Sequence, residues 1–186
     1  MSPYISILIP VYNRTQYIRE VIESALKQTL SKDKYEVLVI TNVDLPEREG
    51  VKIIKSKDPT LGGKVVEGIL NSQGEVISLL EDDDLFSPNK LEVIYNTFKR
   101  YSISLFHNEM YFIDESGKRI EDLERKREET VRKYLRDEAV SYTFLKKNLI
   151  DKIKLSFNNS SISFRKDALL PYLDYIKSIK HLGLDT

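Results

Sequence analysis

Four consecutive acidic residues, Glu81 to Asp84, directly follow the apolar run 76–80. Like charges this close repel one another, which raises their pKa values and costs stability unless a cation lies between them. Hard divalent cations such as Mg²⁺ prefer carboxylate oxygens as ligands. Because open α/β sheets bind ligands outside the carboxyl ends of their strands, the pattern predicts a metal-assisted ligand site. A solvated acidic turn that caps the helix starting near Pro88 is the alternative.

The elements that must position these acids alternate along the first half of the chain. Short apolar runs predict buried strands, and apolar residues at helical spacing predict the helices between them. The expected strands are 4–9, 36–40, 51–54 and 76–80, and the expected helices are 18–26, 63–72 and 88–98. Asn13 and Gln16 have the spacing of a capping box for the first helix. The alternation predicts an α/β fold with one doubly wound, mostly parallel sheet flanked by helices.

The second half is less regular and predicts a small antiparallel addition. We expect strands at 103–107 and 161–164, a hairpin that turns at 115–118, and a helix over 169–179. The segment 118–138 is dense in charges of both signs and fits either a solvated helix or a disordered excursion. We expect one domain over residues 1–186, with a ligand-binding half at 1–100 and a second half at 101–186. The sequence ends without an obvious stop signal, so we expect it to be truncated at its C-terminus.

Composition excludes several function classes. Basic and acidic residues both number 29 among 186 residues, so no net charge favours nucleic acid or an anionic membrane. The sequence has no cysteine, which excludes disulfides, cysteine-bound zinc and thiol catalysis. It contains neither an apolar run of about 18 residues nor the pattern of a signal peptide, so we expect a cytoplasmic protein, including the cytoplasmic face of the membrane.

Three segments, taken in order, resemble the inverting family 2 glycosyltransferases. They are residues 6–14, residues 24–29, and residues 74–84 followed by Pro88. The resemblance implies the glycosyltransferase-A fold of nucleotide-diphospho-sugar transferases and a hexosyltransferase type of reaction. In that reaction a sugar passes with inversion from a nucleotide-diphosphate donor to an acceptor hydroxyl, assisted by Mn²⁺ or Mg²⁺. The acceptor is unknown and is a glycan, a lipid or a protein, and membrane association is implied only through residues absent here.

The resemblance also implies a role for each acid of the run. The family's acid-any-acid triplet falls on Glu81, Asp82 and Asp83, with Asp83 as the metal ligand. Glu81 stands where the family usually has aspartate and would face the ribose or a metal-bound water. Asp82 is assigned to the donor site without a separate role. Asp84 is expected to cap the following helix or to orient its neighbours.

The loop after the first strand is expected to border the nucleobase of the donor. The resemblance places Pro10, Tyr12, Asn13 and Arg14 there, with loop packing and helix capping as the alternative for Tyr12 and Asn13. Arg14 is expected either near phosphate or simply exposed. Farther along, Lys64 follows two glycines at a helix start, a position that suits a diphosphate but also fits a plain turn.

A departure from the family pattern follows the second strand. Where the family usually carries an acid that holds the nucleobase, this sequence has Asn42, which can hydrogen-bond a base edge but supplies no carboxylate. A non-catalytic sugar-nucleotide-binding or scaffold domain therefore remains the alternative to an enzyme. A receiver domain would need acids after the first strand, and a nucleotidyltransferase would need a glycine- and arginine-rich loop there, so both are disfavoured.

The catalytic base is expected near the end of the sequence. Inversion needs a carboxylate that takes the proton of the acceptor hydroxyl. Asp185 follows Asp83 at the separation that the family shows, and a merely solvated terminal acid is the alternative. His107 and Asn108, at the end of a predicted strand, are candidates for the acceptor side.

Overall fold

The computed structural model describes residues 2–12, 15–122 and 158–179. Within them, six strands form one mixed sheet in the order β3-β2-β1-β4-β6-β5. The first four strands are mutually parallel, and β6 runs antiparallel to both of its neighbours. The strands are β1 (Ile5–Val11), β2 (Tyr35–Thr41), β3 (Val51–Lys55), β4 (Val76–Leu79), β5 (Leu105–His107) and β6 (Ile162–Arg165).

Helices cover both faces of this sheet. They are α1 (Ile18–Leu26), α2 (Leu61–Asn71), α3 (Lys90–Arg100), α4 (Lys166–Leu169) and α5 (Leu173–Ser178). The apolar sides of α1 and α3 pack into one core cluster on the sheet. Side chains of α2, α4 and α5 pack into a second cluster. All residues of β1 and β4 are buried, as expected for central parallel strands covered on both faces. The predicted doubly wound sheet with a small antiparallel addition is confirmed.

Three expectations about the helices need correction. The N-cap of α1 is Tyr17, without a side-chain cap, so the helix does not begin at Asn13, which itself lies outside the described residues. The helix after the acidic run begins at Lys90 with Asn89 as its N-cap, so Asp84 does not cap it, and of its two expected roles only the orienting of its neighbours is left. The expected helix over 169–179 is divided into α4, a 3₁₀ turn at Leu170–Tyr172 and α5. Pro171 lies in that turn and has no N–H for a continuous helical ladder.

The chain divides into two compact units, of which the first contains the whole sheet. The second unit covers residues 109–157. Its described part contains the predicted hairpin, closed by an antiparallel bridge between Ile113 and Arg119. Asp114 accepts hydrogen bonds from the backbone of Ser116 and Lys118, and Gly117 has a φ of 79°, which glycine adopts without strain. Most of the charged segment 118–138 lies outside the described residues, and the assignment of the chain to one domain stays a prediction.

None of the helices in the described part of the chain is long and apolar enough to cross a membrane.

Candidate functional site

The carboxyl ends of the central strands bring the candidate residues to one edge of the sheet. In the register of β1 and β2, Val11 pairs with Thr41, so Tyr12 and Asn42 leave the sheet side by side. The backbone N–H of Leu80, just after β4, donates to the carbonyl of Leu8 in β1. The acidic run therefore begins at the same edge. This arrangement is the one in which open α/β sheets bind ligands.

Asp82 ties the acidic run to the loop after β1. Its side chain is only 3% exposed, and Oδ2 accepts a hydrogen bond of 3.0 Å from the backbone N–H of Tyr12. The next residue, Asp83, is exposed. The structure thus gives the two central acids different roles: Asp82 fixes the loop, while the side chain of Asp83 faces solvent at the edge of the sheet.

Lys64 lies at the same edge in a wholly buried position. Its Nζ is 4.9 Å from the ring centre of Tyr12, within the range of a cation–π interaction. Among the described residues, that Nζ has no hydrogen-bond partner. Burial lowers the pKa of Lys64, while the charges of Asp58, Asp82 and Glu67 oppose this shift. A buried ammonium without an acceptor is uncommon in proteins and indicates a position where a ligand can supply one.

The two glycines before Lys64 do not open space for a ligand. They lie in the first turn of α2, and each lacks a Cβ because this chain's own atoms fill the space. A Cβ on Gly62 would lie 2.1 Å from the carbonyl oxygen of Ile176, and one on Gly63 would lie 2.0 Å from Cγ of Asp58. The Thr60 side chain accepts a hydrogen bond from the N–H of Gly63, which caps the helix.

The outer acids of the run are held by a segment that the sequence did not single out, residues 158–160. Asn159 Nδ2 donates to Oε1 of Glu81 at 3.1 Å, and Asn158 Nδ2 donates to Oδ2 of Asp84 at 2.7 Å. The hydroxyl of Ser160 donates to the same Asp84 oxygen at 2.6 Å and accepts from the backbone N–H of Glu81 at 2.9 Å. Burial raises the pKa of Glu81, its acidic neighbours add to this, and Asn159 opposes it.

Lys90, the first residue of α3, lies behind this segment. Its Nζ donates to the carbonyl of Ser160 and, at 2.7 Å, to Oδ1 of Asn108. The amine lies 4.4 Å from the ring centre of Phe86. Burial lowers the pKa of Lys90 to about 7, against the opposing charge of Asp84. Asn108, expected on the acceptor side, is therefore engaged with Lys90.

The remaining predicted residues have different outcomes. Pro10 is a buried member of β1, paired with Ile40, and does not belong to the loop in which the sequence placed it. Asn42 is exposed directly after β2, as expected for a residue that borders a ligand. Asn13, Arg14 and Asp185 lie outside the described residues, so their roles stay predictions.

The acids at this edge fit a divalent cation whose coordination is completed by a bound ligand. Among the described residues, no three His, Cys, Asp or Glu side chains cluster as a metal-binding group. Mg²⁺ is commonly bound by one or two carboxylates together with substrate phosphates, so a dedicated protein cage is not required. The exposed Asp83, in a run whose outer members have other partners, suits this mode of binding.

Sequence reasoning missed Lys90 and residues 158–160. A signal was present, because Asn158, Asn159 and Ser160 are polar residues that directly precede a predicted strand. Their importance depends on β6 pairing antiparallel with β4, which brings the start of one strand to the end of the other. That pairing is not visible in the sequence pattern.

Comparison with known proteins agrees with this architecture. Residues 6–170 match the family model described as Glycosyl transferase family 2. An uncharacterized glycosyltransferase of Rickettsia typhi is 38% identical over 102 residues, which cover 49% of this chain and 30% of that protein.

Two solved glycosyltransferase structures share the fold at low sequence identity. Residues 1–349 of Staphylococcus aureus TarS superpose with a TM-score of 0.65 at 16% identity, over 90% of this chain and 48% of that one. The same TarS fragment has been solved in complex with UDP-GlcNAc. The mannosyltransferase PcManGT from Pyrobaculum calidifontis, in complex with GDP-Man and Mn²⁺, gives a TM-score of 0.58 at 13% identity, over 92% of this chain and 47% of that one. The chain thus spans about half the length of these solved chains.

Proposed function

The chain belongs to glycosyl transferase family 2, and from that premise we propose that it transfers a sugar from a nucleoside-diphosphate donor to an acceptor hydroxyl with inversion. The proposal concerns the activity of the whole protein, because this chain spans about half the length of the solved chains that it matches. The donor class is supported by two neighbours with the same fold, TarS with UDP-GlcNAc and PcManGT with GDP-Man. The acceptor is a glycan, a lipid or a protein.

One observation carries the proposal: a buried lysine whose amine has no hydrogen-bond partner among the described residues and an exposed carboxylate occur at the same edge of the sheet. The Lys64 amine lacks an acceptor among the described residues, and a phosphate oxygen of the donor would supply one. Asp83 is exposed immediately after Asp82, whose carboxylate holds the Tyr12 loop. A diphosphate with its counter-cation satisfies both groups at once.

The proposed chemistry divides the work among these residues. Tyr12 and Asn42 border the nucleobase, and Lys64 binds a phosphate oxygen. Asp83 would hold Mn²⁺ or Mg²⁺, and the bound cation would neutralise the charge that develops on the leaving diphosphate. A carboxylate, for which Asp185 is the candidate, takes the proton of the acceptor hydroxyl while that oxygen bonds to the anomeric carbon and the bond to the diphosphate breaks.

The first test is whether Asp83 is required for metal-dependent binding of the nucleotide. Calorimetric titration with UDP and with GDP, each with and without Mn²⁺, should show at least one of them binding more tightly when Mn²⁺ is present. In an Asp83→Asn variant this gain should disappear, because the amide carries no charge to hold the cation. Asp174→Asn makes the same chemical change at an exposed acid of α5 that is not part of the proposed donor site, and it should bind like the wild type.

Equal metal-dependent binding by the wild type and the Asp83→Asn variant would refute the role of Asp83. A wild type that binds neither nucleotide would refute the proposal as a whole.

The exposed amide of Asn42, in place of the family's acid, favours a second candidate, a non-catalytic sugar-nucleotide-binding domain. That candidate predicts normal binding but no release of UDP or GDP from any nucleotide sugar, even with the whole protein.

A further inference from the structure

A chain of hydrogen bonds connects the start of α3 to the acidic run through a single serine. Lys90 donates to the carbonyl oxygen of Ser160, and the hydroxyl of that serine bridges the Glu81 N–H and the Asp84 carboxylate. Lys90 is 8% exposed and Ser160 is 7% exposed, so water competes little for these bonds. Neither residue lies in the donor site proposed above.

We propose that Ser160 and Lys90 are positioning residues of the metal site, which fix the acidic run so that Asp83 presents its carboxylate to the cation. This inference rests on the proposed function. The role is indirect. Ser160 contacts two of the acids and Lys90 contacts Ser160, whereas neither residue would contact the metal or the donor.

The closeness of the four acids explains why residues that position them are needed. Four adjacent carboxylates repel one another, and without fixed partners they would rearrange as each cation binds or leaves. The segment 158–160 supplies hydrogen-bond donors to the two outer acids, Glu81 and Asp84. Asp82 is committed to the Tyr12 loop. Three acids are thereby held in place around Asp83.

Lys90 in turn fixes the segment itself. Its Nζ reaches the end of β5 through Asn108 and the start of β6 through the Ser160 carbonyl, while the ring of Phe86 covers the amine. The three contacts come from different parts of the fold. Removing the amine would therefore free the segment and remove a charge near Asp84, while it deletes none of the hydrogen-bond donors that the segment offers to the acids.

The test compares two variants with matched controls in the full 186-residue chain. Ser160→Ala removes the bridging hydroxyl, and Lys90→Met removes the amine while keeping an apolar side chain of similar length. Ser163→Ala is the control for the first, since its hydroxyl is also fully buried and donates to the hydroxyl of Ser78 rather than to a carboxylate. Lys99→Met is the control for the second, since Lys99 is in the same helix and packs on Tyr4.

Two readouts separate positioning from stability and from the proposed function. Amide hydrogen exchange without ligand should show the peptide that contains residues 81–84 exchanging about tenfold faster in both test variants and unchanged in both controls. Titration with Mn²⁺ in the presence of UDP or GDP should show affinity about 10- to 100-fold weaker in the test variants only, as for other residues that orient metal ligands.

The outcomes are distinct. Weaker Mn²⁺ binding in Ser160→Ala, with Ser163→Ala unchanged, supports the inference even if Lys90→Met fails to fold. Mn²⁺ affinities equal to the wild type in Ser160→Ala overturn it, whether or not exchange becomes faster. If the wild type binds no Mn²⁺ with either nucleotide, the proposed function fails and the inference fails with it.

Discussion

The positive charge of Lys64 is buried completely, and its Nζ has no hydrogen-bond partner among the described residues. Its nearby charges are Asp58, Asp82 and Glu67, all acidic, so the ammonium is attracted to its surroundings without being hydrogen-bonded by them. Such a group contributes little to folding through direct bonds. We expect the ammonium to act in ligand binding instead, where a phosphate oxygen would accept a hydrogen bond from it.

We predict that Lys64→Met weakens the binding of UDP or GDP by about tenfold or more, since a hydrogen bond between two charged groups is lost. The free energy of unfolding should change little, because the amine has no hydrogen-bond partner among the described residues and methionine fills a similar volume. Calorimetry measures the first quantity and urea denaturation the second. Lys27→Met, at the exposed residue that directly follows α1, is the matched control. A variant that binds nucleotide normally but is strongly destabilised would show that Lys64 is structural.

Individual residues also show how far the sequence can be interpreted. The acidic run and Tyr12 could be placed at one edge because each comes after a buried parallel strand, and the carboxyl ends of parallel strands meet. The partners of Glu81 could not be foreseen, because Ser160 lies 79 residues farther along the chain and approaches only through an antiparallel strand. The place of Pro10 is not predictable in this way, because proline usually ends or borders a strand, whereas β1 continues through it to Val11.

At the scale of elements, the contact between the start of α2 and the end of α5 depends on a glycine. The N–H of Gly62 donates to the carbonyl of Ile179 at 3.2 Å, and the position of its missing Cβ is 2.1 Å from the carbonyl oxygen of Ile176. Both neighbours are backbone atoms, which cannot rotate away as a side chain can. The glycine therefore sets how closely these two helices approach.

We predict that Gly62→Ala lowers the free energy of unfolding by about 1–3 kcal/mol, the usual cost of overpacking. In a helix without such a contact, replacing glycine by alanine normally stabilises by about 0.5–1 kcal/mol, so the sign of the effect is diagnostic. Gly68→Ala in the same helix is the comparison, because its Cβ would meet only the flexible ends of Ile40 and Leu8 at 2.9 Å. Urea denaturation should find Gly62→Ala the less stable of the two, and the reverse order would contradict the close packing.

Strands and helices were not equally predictable from the sequence. The central strands are buried on both faces, so their apolar runs identify them almost to the residue: β2 was expected over 36–40 and covers Tyr35–Thr41. Helix starts were less accurate, since they depend on which neighbouring group reaches the free N–H groups. Thr60 caps α2 by a hydrogen bond to Gly63, whereas α1 and α3 have no side-chain cap to mark their starts.

At the scale of the whole molecule, the stability of the fold is linked to pH through Lys90. Burial lowers the pKa of this lysine to about 7, although the charge of Asp84 favours its protonated form. In the unfolded chain the lysine is solvated and has an ordinary pKa near 10.5. At a pH between these two pKa values, Lys90 is protonated in the unfolded state and largely neutral in the folded state. The free energy of unfolding therefore increases as the pH rises.

We predict that this group adds up to about 1.4 kcal/mol per pH unit to the free energy of unfolding between pH 7 and 10, and nothing below pH 7 once both states are protonated. Urea denaturation at several pH values in this range should therefore give a more positive slope for the wild type than for Lys90→Met. Lys99→Met retains Lys90 and should keep the slope of the wild type. Equal slopes for the wild type and Lys90→Met would mean that Lys90 stays charged when folded, held by the carbonyl of Ser160, the amide of Asn108 and the nearby carboxylate of Asp84.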